Sequence, residues 1–272
     1  MGSNIAYWLS RCGWKIRGIL DINPDNARKI AHKIPTGIIN DVGTIIKRCD
    51  IIFITIPDSE IIPVLEEISE YEYDGEKILV LMSGIMPASI LGLAGIEFLP
   101  LSIHPLAGIP PLDIRNNPFY GIFFGMEGND KTVKLALKII DDLGGKLLAI
   151  EPEYRILYHT AGVFGANLIY PIIHATEKLL ADSCIHKTDI RKVVTNLITH
   201  SLDNYQELGI PEAMTGPLVR DDYSTILAHL FALKDDSLLP LYIQLMRDFA
   251  RIINKETEFD ELTEYIQNKI QK

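Results

Sequence analysis

Cysteine is scarce in this 272-residue chain: Cys12, Cys49 and Cys184 are odd in number and far apart. Without a C-x-x-C pair there is no disulfide framework or zinc cluster to read, and a reducing, cytoplasmic setting is expected. The seven histidines show no ligand spacing either, so no metal site is expected. Positive charge is in deficit, with 26 Lys+Arg against 36 Asp+Glu and a net charge of −10. A phosphate-backbone binder needs a basic face, so no nucleic-acid partner is expected. No uninterrupted apolar stretch approaches the ~18–20 residues of a membrane span. Met1-Gly2-Ser3-Asn4 also lacks the basic and apolar regions of a signal peptide, and no membrane partner is expected. There is no internal repeat, and the absence of a G-x-S-x-G elbow leaves a Ser-His-Asp hydrolase unsupported.

What remains is an ordinary globular composition, 47% hydrophobic and 23% charged, with enough chain for two domains. In the first half, short apolar runs alternate with helical patterns. The runs are Ile16–Leu20, Gly37–Ile39, Asp50–Pro57, Lys77–Met82, Phe98–Ile103, Tyr120–Met126 and Lys146–Ile150. Helical patterns fall over Ser3–Arg11, Asn26–Ile34, Val42–Arg48, Glu60–Glu70 and Lys131–Leu143. Strands separated by single helices cannot be hairpins, so the spacing predicts a doubly wound, mostly parallel sheet. From Pro152 the strand signal stops. Helices are expected over Glu153–Ser183 (bent near Pro171), Asp189–Leu208, Ser224–Leu233, Leu239–Asn254 and Glu258–Ile270. The reading is an α/β domain over 1–151 followed by an all-α domain over 152–272.

In open parallel sheets, ligands sit beyond the carboxyl ends of the strands. The dinucleotide version has a Gly-rich turn after the first strand and an acidic residue after the second, about 20 residues on. Gly2 opens a helix, a strand follows, and Asp21 stands nineteen residues later. Gly2 thus suits the third glycine of G-x-G-x-x-G, with Ser3 and Asn4 beside it, and the first strand with its two glycines is missing. A helix start and a turn residue account for Gly2 and Asp21 equally simply. Losing about five buried aliphatic side chains forfeits on the order of 10 kcal/mol of gross burial, so the natural polypeptide is expected to begin upstream of Met1. A carboxylate at Asp21 can accept hydrogen bonds from an adenosine ribose but repels a 2′-phosphate, which favours NAD over NADP.

Several segments then carry a likeness. They are the initial MGSNIAYWL, Ile56-Pro57-Asp58, Ser83-Gly84, Ser102-Ile103-His104-Pro105-Leu106, Tyr158-His159-Thr160-Ala161-Gly162-Val163-Phe164 with Asn167, and Thr215-Gly216-Pro217-Leu218-Val219-Arg220-Asp221-Asp222. Together, in that order, they resemble the Rossmann-like oxidoreductase-like proteins with a DUF2520-type helical C-terminal domain. Those are distant relatives of pyrroline-5-carboxylate reductase and the 6-phosphogluconate dehydrogenase-like enzymes. The resemblance implies a nicotinamide cofactor, a turn at Ile56-Pro57-Asp58 beneath the nicotinamide-side ribose, and a polar catalytic residue with an asparagine on the helix of His159 and Asn167. It also implies a homodimer formed through the helical domain.

Each candidate has a plainer alternative. Asp58 or Ser59 can simply cap the following helix. Gly84 lets the backbone approach a flat ring and Ser83 can hydrogen-bond a carboxamide, or the pair ends a strand. His104 stands at the carboxyl edge, where an imidazole can donate to a carbonyl or shuttle a proton; otherwise it is a turn histidine bonded to backbone. His159 and Asn167 lie about 80° apart in helical projection, and a packing seam of small residues explains them as well. Thr215, Gly216 and Arg220 can grip an anionic group, with Arg220 as a carboxylate clamp, or Arg220 pairs with Asp221 or Asp222. The expected function is an NAD(P)-dependent oxidoreductase acting on a small carbonyl, imine or hydroxy compound in the cleft between the domains. The alternative is a non-catalytic nucleotide-binding sensor or scaffold.

Overall fold

The apolar run after Asp50 forms β1 (Ile51–Ile54), and its neighbours form β2 (Lys77–Leu81), β3 (Phe98–Pro105), β4 (Phe123–Gly128) and β5 (Lys146–Ala149). A computed structural model describes residues 1–95 and 98–270. The strands make one sheet in the order β1-β2-β3-β4-β5. Pairing is parallel from β1 to β3 and from β4 to β5, and antiparallel between β3 and β4. The reversal has a local cause: residues 106–122 contain no helix, and a parallel return needs a crossover.

Period-two alternation distributes the core over both faces. Val80, Leu101 and Ile103 pack with Ile5 and Leu9 of α1 (Gly2–Arg11) and with Ile139 and Ile140 of α5 (Asp130–Asp142). Leu79 and Leu81 pack instead with Ile46 of α3 (Val42–Arg48) and with Ile61 and Leu65 of α4 (Asp58–Ser69). This is the two-sided burial that continuous aliphatic strands require. β5 departs from it, being exposed along its length.

The expected strands at Ile16–Leu20 and Gly37–Ile39 are reduced to one parallel bridge, Ile19 to Ile38. A groove of about 360 Å³ lies beside them, lined by α1, the 14–21 segment and β1. Two backbone bonds hold the 14–21 segment to the 37–39 segment, the Ile19 amide to the Gly37 carbonyl at 3.0 Å and the Ile39 amide to the Ile19 carbonyl at 2.9 Å. Between it and β1 runs α2 (Pro24–Ala31), whose cap Asn23 accepts from the Asp25 amide.

The chain divides into two compact units, Met1–Ile169 and Tyr170–Lys272. The composition changes at Glu151-Pro152, but the division comes later because α6 (Arg155–Gly162) is bonded to the sheet, as shown below. The expected single helix over Glu153–Ser183 is instead α6, a π turn at Val163–Asn167, and α7 (Ile169–Asp182). Pro171 has no N–H to offer the Asn167 carbonyl, and Gly162 and Gly165 soften the preceding turn. The ladder widens there, with the Leu168 amide donating to the Val163 carbonyl at 2.9 Å. By length and composition, Pro152–Asp182 is long and apolar enough to cross a membrane. Its first turns are nevertheless tied to the sheet through polar side chains.

The second unit continues with α8 (Lys187–Leu208), α9 (Tyr223–Ala232), α10 (Leu239–Ile252) and α11 (Glu256–Ile270). Its core is Leu218, Ile226, Leu230, Ala250, Phe259 and Ile266. Lys178 pairs with Asp236 and Asp182.

Candidate functional site

Arg155, Tyr158 and His159 occupy positions i, i+3 and i+4 of α6, so they share one helical face. That face lies against the carboxyl ends of β2 and β3. The Arg155 side chain is 3% exposed. Its Nη1 donates to Glu127 Oε2 of β4 at 3.1 Å, and its Nη2 donates to Ser102 Oγ of β3 at 2.6 Å and to the Ser83 carbonyl after β2. Burial lowers the pKa of Arg155, with Glu127 opposing the shift. The Tyr158 hydroxyl donates to the His104 carbonyl at 3.0 Å and accepts the Gly125 amide at 3.1 Å.

These ties bring His159 to His104, with ring centroids 5.8 Å apart. Both rings press on Gly84. A Cβ at that position would lie 2.2 Å from His159 Cδ2 and 2.9 Å from His104 Cε1, so only glycine admits both imidazoles. His104 Nδ1 is buried without a hydrogen-bond partner. A bare ring nitrogen is less costly there than an orphaned N–H, which assigns the proton of the neutral ring to Nε2. Burial pushes the His104 pKa down to about 4; the charges of His159 and Arg155 add to this, and Asp58 opposes it. Burial thus favours the neutral ring at ordinary pH.

Asp58 is the first residue of α4 and makes no side-chain cap bond, which removes the capping role open to it. Its charge instead reaches both His104 and Arg155. Ile56 and Pro57 are exposed in the turn before it. Ser83 is buried, and its Oγ accepts the amides of Ile85 at 3.2 Å and Met86 at 3.0 Å, which leaves the hydroxyl proton to donate. The structure thus brings together Asp58, Ser83, Gly84, His104 and His159 from four segments.

Gly2, Ser3 and Asp21 gather at the groove beside β1. A Cβ on Gly2 would lie 2.5 Å from Thr55 Oγ1, the close helix–strand approach asked of a third fingerprint glycine. Asp21 accepts from the Asn23 amide at 2.8 Å, and Arg28 is engaged by Asp25. Asn4 is buried, donating to the Pro110 carbonyl at 3.0 Å with its Oδ1 unpartnered.

Asn167 ends the π turn with its side chain exposed. The 80° projection on His159 fails because a π turn carries one extra residue. Thr215, Gly216 and Arg220 belong to the second unit, in the turn before α9, where the Arg220 amide bonds the Gly216 carbonyl at 3.3 Å. The ion-pair alternative is not met among the described residues: Asp221 is paired with Lys255 at 2.5 Å, and Asp222 caps α9, with the Arg220 charge acting on it from a distance. The sequence reading missed Arg155 and Glu127. The available signal was the i, i+3, i+4 spacing of Arg155, Tyr158 and His159. Among the described residues, no group of three or more His, Cys, Asp or Glu side chains could hold a metal ion.

Residues 1–105 match the Rossmann-like domain and residues 122–249 the domain of unknown function DUF2520. No curated protein matches the chain by sequence. Among solved structures, a Bacteroides fragilis protein proposed to be an NADP oxidoreductase is 22% identical, with a TM-score of 0.75 over 92% of this chain and 93% of that one. A Thermotoga maritima protein is 22% identical, with a TM-score of 0.69 over 94% and 96%. The pyrroline carboxylate reductase of Plasmodium falciparum with NADP bound is 16% identical, with a TM-score of 0.60 over 95% and 94%. The chain therefore carries a region that matches the Rossmann-like domain and a region that matches DUF2520, on a fold shared with the solved pyrroline-5-carboxylate reductases.

Proposed function

We propose that the protein is an NAD(P)-dependent oxidoreductase of a small carbonyl, imine or hydroxy compound. The observation that carries the reading is the meeting of two imidazoles on Gly84, at the carboxyl edge of a Rossmann-like sheet. Gly2 and Ser3 would hold the pyrophosphate at the start of α1, Asp21 the adenosine ribose, and Ser83 with the Ile56-Pro57-Asp58 turn the nicotinamide end. Bound there, the nicotinamide supplies or accepts the hydride. The chain's own groups orient and protonate: neutral His104 donates from Nε2 to the substrate oxygen or nitrogen, and His159 moves the proton. Thr215, Gly216 and Arg220 remain candidates for an anionic substrate group and Asn167 for orienting it. Asp21 and the engagement of Arg28 by Asp25 favour NAD.

The self-association proposed is a homodimer through the helical domain. α7 has no buried residue and α8 buries only Ile190 and Val194, while Leu197, Leu202, Tyr205 and Leu208 of α8 are exposed. Three free cysteines are compatible with the cytoplasmic location proposed.

Titration with NADH and NADPH, followed by turnover against a panel of small carbonyls and imines, tests the function. Dinucleotide binding with turnover that falls roughly 10²–10⁴-fold in His159→Ala supports it. Binding without reduction of any substrate would instead favour a nucleotide sensor, and no binding at all refutes both.

A further inference from the structure

We infer that Arg155 is the positioning residue of this site, its buried guanidinium fixing α6, and so His159, against the strand ends that carry Gly84 and His104. The inference rests on the reading of this face as the reacting site. Arg155 cannot itself touch a substrate, because it is 3% exposed and lies beneath the Ser83-Gly84 turn. It reaches segments from three strands: the Ser83 carbonyl after β2, Ser102 Oγ on β3 and Glu127 Oε2 on β4. The planar guanidinium spreads its donors over separate nitrogens in a fixed fork, so one side chain reaches acceptors on three different segments in a set geometry.

Stability alone does not explain this choice. A buried ion pair seldom stabilises more than apolar packing of the same volume, and here Nε is buried with no partner, an added cost. What the arrangement supplies is register. Arg155 stands one turn before His159 on the same face, and Tyr158 beside it is bonded to the His104 carbonyl and the Gly125 amide. The imidazole between these ties has little latitude, since both rings already crowd Gly84.

The test compares Arg155→Lys, which keeps the charge but loses the fork, with wild type. Three measurements are needed: ring-to-ring NOEs between His104 and His159, dinucleotide affinity, and steady-state kinetics. We expect a folded variant with weakened NOEs, NADH or NADPH affinity within about threefold, KM little changed and kcat down about 10²-fold, the cost of a misplacement near 1 Å. Free guanidinium should restore part of the turnover of Arg155→Ala. Wild-type NOEs together with unchanged kcat in Arg155→Lys would overturn the inference. If Arg155→Lys does not fold, Ser102→Ala decides, since it deletes one acceptor: weakened NOEs support the inference and wild-type NOEs refute it. Failure of wild type to bind either dinucleotide would refute the oxidoreductase reading, yet the NOE comparison would still decide the role of Arg155.

Discussion

The two compact units bury their side chains very differently. In the first, both faces of the sheet are covered, and Leu79, Val80, Leu81, Leu101, Ile103 and Phe124 are all fully buried. In the second, α9, α10 and α11 make a core, while α8 runs for 22 residues with two buried positions. The contrast teaches that the stability of the first unit is internal, whereas α7 and α8 present apolar surface that nothing in their own unit covers. That exposed surface is the ground for the self-association proposed above.

The largest effect expected from this contrast is in the sheet core. Phe124→Ala, which empties a site packed against Phe119, should destabilise the first unit by about 3–5 kcal/mol in chemical denaturation. A loss under 1 kcal/mol would mean that this core is looser than its burial indicates.

Next comes a pH effect centred on His104. An imidazole in the unfolded chain takes its proton near 6.5, whereas the folded one does not until about 4. Between those values the unfolded state binds more protons, so stability is intact above pH 6.5 and is lost progressively on the way down to pH 4. The loss should be on the order of 3 kcal/mol, and His104→Asn should flatten the profile. An unchanged slope in that variant would assign the loss to other groups.

Smaller still is the cofactor effect. Asp21→Ser should shift the ratio of NADH to NADPH affinity by roughly tenfold toward NADPH, through loss of the ribose acceptor and of phosphate repulsion. An unchanged ratio removes Asp21 from the cofactor site. The smallest effect on folding is expected on α8. Leu202→Ala, at an exposed position, should alter the stability of dilute protein by less than about 0.5 kcal/mol, yet weaken self-association in analytical ultracentrifugation. A monomer at every concentration in wild type would end the dimer proposal and leave the exposed faces of α7 and α8 to another partner.

The strands from Asp50 to Ile150 were legible because each is a short aliphatic run bounded by turn residues. The pairing direction of β4 was not, since it depends on how residues 106–122 return across the sheet end. Ile16–Leu20 reads as a strand by composition, but regular pairing requires neighbours that a propensity cannot supply. At the site, His104, His159, Ser83, Gly84 and Asp58 could be named because they follow strand ends or share a motif. Arg155 and Glu127 could not: they are 28 residues apart and meet only because β4 delivers a carboxylate under α6. Asn167 was coupled to His159 by an α-helical period that the π turn interrupts.

Gly84 carries no functional group, yet its missing side chain is what lets two imidazoles share one spot. Any related polypeptide bearing a larger residue there has given up the paired-imidazole arrangement, even if both histidines persist in its sequence. A one-letter inspection of that site can therefore sort descendants that keep this geometry from those that have turned the scaffold to another use.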